Sequence, residues 1–328
     1  MAAALTGEVV RLDRGLPLVQ LEGGQQVRCE HATDLVKDGA LRAVVGDIVR
    51  VERPEGHDCG VICEILPRRN QLVRKDPSER AVPQVLAANF DVVVVAQPLS
   101  QVNARRLERE LVLAFETGAE VAVVLTKADL AEDESAVDQV RESVRARVGA
   151  EVPTLVVSDQ DSRGVESLRA VLAPNKTAVL VGRSGVGKSS LINLLVGEDV
   201  QATGSVREGD GKGRHTTVSR QIVEIPGGGR VMDMPGVRGL GVWEAEAGID
   251  AAFADIQEFA AQCRFRDCTH QAEPGCAVRA AVEAGLVSPQ RLESYLGLRQ
   301  EVNTLRERKE QARRRKGEKH STTKKRKR

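Results

Sequence analysis

The stretch from Thr177 to Val196 constrains this chain more than any other. Five residues of buried-strand character, TAVLV, run into Gly182, Arg183, Ser184, Gly185, Val186, Gly187, Lys188 and Ser189, and Ser190 opens the helix-like run SLINLLVG. This is a complete G-x-x-x-x-G-K-S loop in the strand–loop–helix setting it requires. Its glycines let successive N–H groups curl inward, and the helix behind presents its positive end, so the loop is suited to a polyphosphate. Lys188 is expected at the β and γ phosphates, and Ser189 is a candidate Mg²⁺ ligand. Such a loop sits at the edge of a parallel sheet, which fixes an α/β domain around it.

Because a P-loop accepts ATP and GTP alike, the base must be read elsewhere. Thr126, Lys127, Ala128 and Asp129 follow the apolar run VAVVLT, and a carboxylate there can accept from both the ring N–H and the exocyclic amine of guanine. Ser158, after the strand-like TLVVS, stands where a guanine-supporting loop belongs. Asp233, Met234, Pro235 and Gly236 form D-x-x-G, with Asp233 expected to hold Mg²⁺ through water and Gly236 to sense the γ-phosphate. Upstream, Thr216 and Thr217 both offer the hydroxyl a second switch loop needs, and glycines at 204, 209, 211 and 213 suit a loop ordered by nucleotide.

The order of these motifs is unusual. Asp129 and Ser158 precede the P-loop, whereas Asp233 comes last, which describes a circularly permuted GTPase domain whose site is unchanged in space. Buried parallel strands are expected at 91–96, 121–126, 154–158 and 177–182, with amphipathic helices at 104–117 and 136–147. Before them, residues 7–66 alternate in short apolar stretches punctuated by Gly, Asp and Pro, as in a small OB-type or SH3-like barrel. After them, Cys263, Cys268, His270 and Cys276 give C-x4-C-x-H-x5-C, a donor set suited to one closed, structural Zn²⁺ site in a small helical domain. Cys29, Cys59 and Cys63 read as small core residues of the barrel. The expected units are an OB-like barrel at 1–71, the permuted GTPase domain at 72–242, a mostly helical zinc-binding domain at 243–305, and a basic, disordered tail at 306–328.

Charge is unevenly placed. The chain of 328 residues is formally +1, but 306–328 holds 13 Lys/Arg against 3 Asp/Glu, a net of +10 that leaves −9 on the rest. A polyanionic partner met through the tail is the expectation. No apolar run is long enough to span a membrane and the start lacks a secretory signal, so a cytoplasmic protein is expected. No coiled-coil seam is evident, which points to a monomer.

The permuted order, the leading barrel, GRSGVGKSS, KGRHTT, DMPGVR and CRFRDCTHQAEPGCAV, with VVGDIV and AANFDVVVV, together resemble the RsgA (YjeQ) family of ribosome small-subunit-dependent GTPases. The resemblance covers nearly the whole chain. It implies an OB domain, a permuted GTPase domain and a zinc-binding domain, acting in late maturation of the 30S subunit, with GTP hydrolysed to GDP under stimulation by that subunit. One departure concerns RNA. Residues 1–89 contain no Phe, Tyr or Trp, and residues 1–70 hold 9 Lys/Arg against 11 Asp/Glu. Base stacking is therefore closed to the barrel, and rRNA would be met through shape and phosphate, with Arg68, Arg69, Arg74 and Lys75 as candidate anchors.

Val237 stands where Ras-like enzymes place the Gln that orients water. His215, beside the switch threonines, is the candidate replacement, and contact with RNA or solvent is its alternative role. Two other functions compete: a nucleotide-gated RNA chaperone in which turnover is incidental, and a P-loop kinase or ATPase, which Asp129 disfavours.

Overall fold

The structure, a computed structural model, describes residues 4–325 apart from 14, 37–41, 54–58, 76–82, 174, 198–219, 235–242 and 244. The alternation of the first 66 residues becomes β1 (Leu5–Asp13), β2 (Leu16–Leu21), β3 (Gln26–His31), the single turn α1 (Thr33–Val36), β4 (Ile48–Glu52) and β5 (Gly60–Ile65). Neighbours run β1-β2-β3-β5-β4, and β4 pairs back onto β1, closing a five-stranded barrel. The parallel β3–β5 pair gives the OB order and decides against the SH3-like alternative. Val9, Val19, Cys29, Val49, Val51 and Ile62 fill it, so period-two alternation is what closes this core. Burial pushes the Cys29 thiol up to about 11, that of an inert core residue, whereas Cys59 and Cys63 are half-buried.

A two-stranded ribbon of β6 (Gln71–Lys75) and β7 (Pro83–Ala88) leads into the α/β domain. Its strands are β8 (Val92–Pro98), β9 (Glu120–Thr126), β10 (Thr154–Val156), β11 (Thr177–Val181), β12 (Arg220–Glu224) and β13 (Arg230–Asp233), with α2 (Ala104–Glu116), α3 (Glu134–Val148), α4 (Val165–Leu172) and α5 (Lys188–Val196) between them. The order is β10-β9-β8-β11-β13, all parallel, with β12 antiparallel on the edge. All seven residues of β8 are buried, because helices cover both faces of a parallel sheet. β12 then pairs with β1 of the barrel, so barrel and α/β sheet form one continuous hydrogen-bonded surface. Arg230 reinforces this seam by donating to Glu8 at 2.6 Å. Gly46 permits the close approach beside it: its φ is +89°, and a Cβ there would lie 2.1 Å from the Ala88 carbonyl oxygen.

The C-terminal part is helical: α6 (Glu246–Ala252), α7 (Ala254–Ala260), α8 (Ala277–Glu283) and α9 (Pro289–Lys325). Gly248 of α6 lies so close to α2 that a Cβ would meet the Val112 carbonyl oxygen at 2.1 Å. Glu108 of α2, 1% exposed, is gripped by Arg147 at 2.6 Å and Arg291 at 3.1 Å. Arg291 in turn donates to Asp255 and to the Ala252 carbonyl and lies 4.7 Å above the Phe253 ring. The basic segment does not leave the fold as an extended tail: α9 carries it as helix to Lys325. Its Arg, Lys, Glu, Gln and Ala are strong helix formers, no Pro interrupts them, and Arg306 pairs with Glu310 one turn on.

Two of the four expected RNA anchors are committed elsewhere. Arg68 donates through Nε and Nη2 to both oxygens of the fully buried Asp47, at 2.7 and 2.8 Å, and also to Gln71 and the Arg42 carbonyl. Arg74 is 8% exposed and donates to Gln84. A basic cluster in a linker is as readily consumed by buried acids as displayed, and here Asp47 needs a partner. Arg69 is displayed, with 61% of its side chain exposed while it pairs with Asp91. Lys75 ends β6. Replacing Arg68 by Ala strands a buried carboxylate and should cost about 3 kcal/mol in urea unfolding, whereas Arg69→Ala should cost less than about 1 kcal/mol; equal losses would contradict this division.

Candidate nucleotide site and cysteine cluster

Strand β8 lies between the P-loop strand and the guanine-loop strand. Val95 is in register with Val181 on one side and Val123 on the other, and Pro98 faces Thr126. The two loops therefore emerge side by side at the carboxyl edge of the sheet, the usual ligand position in open α/β folds. Gly182 holds φ +153° with Ala96 behind it: a Cβ would sit 2.6 Å from the Ala96 carbonyl oxygen. Gly187 caps α5 in the left-handed region, at φ +101°. Arg183, Ser184 and Gly185 form the exposed crest, Val186 is buried, and Ser189 and Ser190 are half-buried in the first turn of α5. The Lys188 ammonium donates to the carbonyls of Gly182 and Arg183, at 2.7 and 2.9 Å. Burial lowers the Lys188 pKa, while the charges of Glu110 and Asp233 act to raise it.

The residues expected to read the base lie together. Lys127 adopts a left-handed backbone, φ +58°, which starts a tight turn carrying Asp129 into solvent. Ser158, fully buried, donates to the Asp129 carboxylate at 3.3 Å and accepts from the Gln160 amide. Thr126 has a second duty that its motif does not announce. Its hydroxyl donates to the Val186 carbonyl at 2.6 Å, tying the guanine loop to the P-loop. Asp233 ends β13, 8% exposed, next to the P-loop strand. His215, Thr216, Thr217 and Gly236 lie outside the described residues.

The four residues of the cysteine motif converge on one point, with ligand atoms all within 4.8 Å of one another. Cys263 Sγ and Cys276 Sγ are 3.9 Å apart, and His270 Nδ1 lies 3.6 and 3.5 Å from them. A tetrahedral ion with metal–sulfur bonds of about 2.3 Å separates its sulfurs by roughly 3.8 Å, so the donors fit such an ion. The chain bends for this: His270 is left-handed, φ +60°, and Glu273 accepts from the amides of Thr269, Gln271 and Ala272 to shape the loop. Cys276 caps α8 and accepts from the Arg279 amide. Burial works against ionising Cys263, yet the Val278 and Ala277 amides hold its pKa below the ordinary thiol value.

Fold and site together define a circularly permuted P-loop GTPase. The family model described as RsgA GTPase matches residues 65–243. Among curated relatives, the small ribosomal subunit biogenesis GTPase RsgA of Streptomyces avermitilis is 45% identical over 298 residues, covering 90% of this chain and 79% of that one. RsgA 2 of Lactiplantibacillus plantarum is 41% identical, over 86% and 78%. This chain belongs to the RsgA GTPase family. Among solved structures, YjeQ from Thermotoga maritima aligns with a TM-score of 0.66 at 29% identity, over 90% of this chain and 97% of that one. YloQ, a circularly permuted GTPase, shares the fold with a TM-score of 0.64 at 24% identity, over 92% and 96%.

Sequence reasoning did not reach Gln97 and Glu110, both buried beside the P-loop; the available signal was an acid on the apolar face of a helix reading RRLERELVLAFE. Replacing Thr126 by Val should leave the Val186 carbonyl without its donor and lower stability by about 1–3 kcal/mol in chemical denaturation. An unchanged midpoint would show that the two loops are not tied through this hydroxyl.

Proposed function

We propose that this protein hydrolyses GTP as a maturation factor of the small ribosomal subunit, with turnover stimulated when it docks there. The observation that carries the reading is the joining of P-loop and guanine loop on either side of β8, with Asp129 and Ser158 in contact. Asp129 reads guanine, Lys188 meets the β and γ phosphates, and α5 directs its positive end at them. Mg²⁺, held by Ser189, by Thr216 or Thr217 and through water by Asp233, would neutralise charge on the phosphates. Hydrolysis to GDP then needs a group that orients water, and His215 is the residue we assign to it in place of the absent Gln. The relatives, small ribosomal subunit biogenesis GTPases, supply the ribosomal context. The basic end of α9 is the surface we assign to rRNA phosphate, together with Arg69 and Lys75.

Turnover measured with and without 30S particles across a salt series tests this directly. The expected result is slow basal hydrolysis, strong stimulation by 30S subunits, and stimulation that fades steeply as salt rises. Nucleotide affinity that changes with 30S while kcat stays constant would favour the gated RNA-chaperone reading instead. His215→Ala should retain GTP binding and lose 30S-stimulated turnover about 100-fold or more; full turnover would remove His215 from catalysis.

We further assign one structural Zn²⁺ to Cys263, Cys268, His270 and Cys276. No helix among the described residues is long and apolar enough to cross a membrane. The proposed ribosomal role is the ground on which we assign the protein to the cytoplasm. The purified protein should contain one equivalent of zinc by metal analysis, and Cys268→Ser should lower that content and the thermal stability together. Zinc-free protein of unchanged stability would contradict the assignment.

A further inference from the structure

One acid on α2 faces the nucleotide loops and has no part in the chemistry above. Glu110 is 2% exposed. Its Oε2 accepts from the Gln97 side-chain amide at 2.5 Å, and its Oε1 lies 3.4 Å from Arg106 Nε, one turn earlier on the same helix. Gln97 is itself buried and passes the contact on. Its backbone oxygen lies 3.3 Å from the Thr126 hydroxyl, which donates to Val186 two residues before Lys188. The acid is thus built into the polar thread that joins α2, β8, the guanine loop and the P-loop.

Among the described residues, two cations act on the Glu110 carboxylate. Arg106 contacts it from its own helix, the charge of Lys188 at the start of α5 favours its ionised form, and Asp233, at the end of β13, acts on Lys188. Burial pushes Glu110 up to about 7, although Arg106, the Gln97 hydrogen bond and Lys188 all favour the anion. Nucleotide phosphates at the P-loop alter this balance in one direction. They add negative charge near the carboxylate, and they engage the ammonium that helped keep it ionised.

We propose that Glu110 is a positioning residue that takes up a proton when nucleotide phosphates bind, removing a buried negative charge that acts on Lys188 so that the ammonium is directed at the phosphates. The proposal rests on the reading of this site as a guanine-nucleotide site. The proton comes from solvent and converts the carboxylate to a neutral carboxyl group; no other bond changes. Arg106, with 43% of its side chain exposed, gives up the looser of the two contacts. The sign follows from linkage. A group whose proton affinity rises on binding makes binding tighter at low pH, and the advantage disappears as pH rises through the group's range near and above neutrality.

The test is calorimetry of Mg²⁺–GDP binding to the full-length protein and to Glu110→Gln, in buffers of different ionisation heat. GDP is not turned over, and its own titration cancels between the two proteins. Near pH 7 the wild type should take up about half a proton more than the variant, and its affinity should fall roughly three- to tenfold further between pH 6 and pH 8.5. Equal proton uptake and parallel pH profiles would overturn the proposal. If Glu110→Gln does not fold, the wild type decides by infrared difference spectroscopy: GDP should raise a protonated-carboxyl band that shifts on ¹³C-glutamate labelling, and no such band would overturn it. Protein that binds no guanine nucleotide fails the site assignment and this proposal with it, whereas binding without proton uptake fails this proposal alone.

Discussion

Strand β8 is the element on which the other arrangements depend. It is buried along its whole length between β9 and β11, and burying each of its valines contributes about 1.5–3 kcal/mol. A strand flanked on both sides cannot shift by one residue without exposing half of its side chains to the wrong layer. Its register therefore fixes how far the guanine loop and the P-loop extend past the sheet edge. The reversed chain order of the motifs has no effect on this, because spatial neighbours are set by hydrogen bonding and burial.

From β8 the chain passes into α2, which meets three environments. Arg106 pairs with Glu110, which accepts from Gln97 of β8, Glu108 is held by Arg147 and Arg291, and Arg105 and Arg109 pair with Glu293 and Glu301 of α9. The Glu108 cluster is the most buried of these contacts. Its desolvation cost is offset only because Arg291 also engages Asp255, the Ala252 carbonyl and the Phe253 ring. A displacement of α2 would thus be felt at the P-loop and in the helical region at once. On the other edge, β12 and β13 join the barrel to the sheet through the β1 pairing and the Arg230–Glu8 ion pair. β13 also ends at Asp233. Both flanking domains are therefore attached to elements that border the nucleotide site.

The cysteine cluster solves a different problem. Residues 261–276 contain no strand or helix apart from turns, and such a segment has little apolar surface to bury. Four convergent Cys and His side chains, suited to a metal ion, and the amides gathered by Glu273 shape it instead.

What the sequence determined by itself was whatever depends on local spacing. The P-loop needs glycines at fixed offsets between a strand and a helix, the barrel needs period-two alternation, and the cysteine cluster needs four donors within one short turn-rich segment. Each requirement is met by residues close together in the chain, so each was legible: Gly182, Lys188, Cys263 and His270 stand where their patterns put them. The tertiary structure alone decided the fate of charges. Arg68 and Arg74 looked like displayed cations, yet Asp47 and Gln84, residues distant along the chain or across a hairpin, took them out of solvent. Likewise the closure of the barrel in OB order, the Thr126–Val186 tie and the action of the buried Glu110 charge on Lys188 depend on partners 60 or more residues apart or on neighbouring strands. Partner choice for a charged side chain is set by which unpaired group folding brings within reach, and that is a property of packed elements, not of spacing.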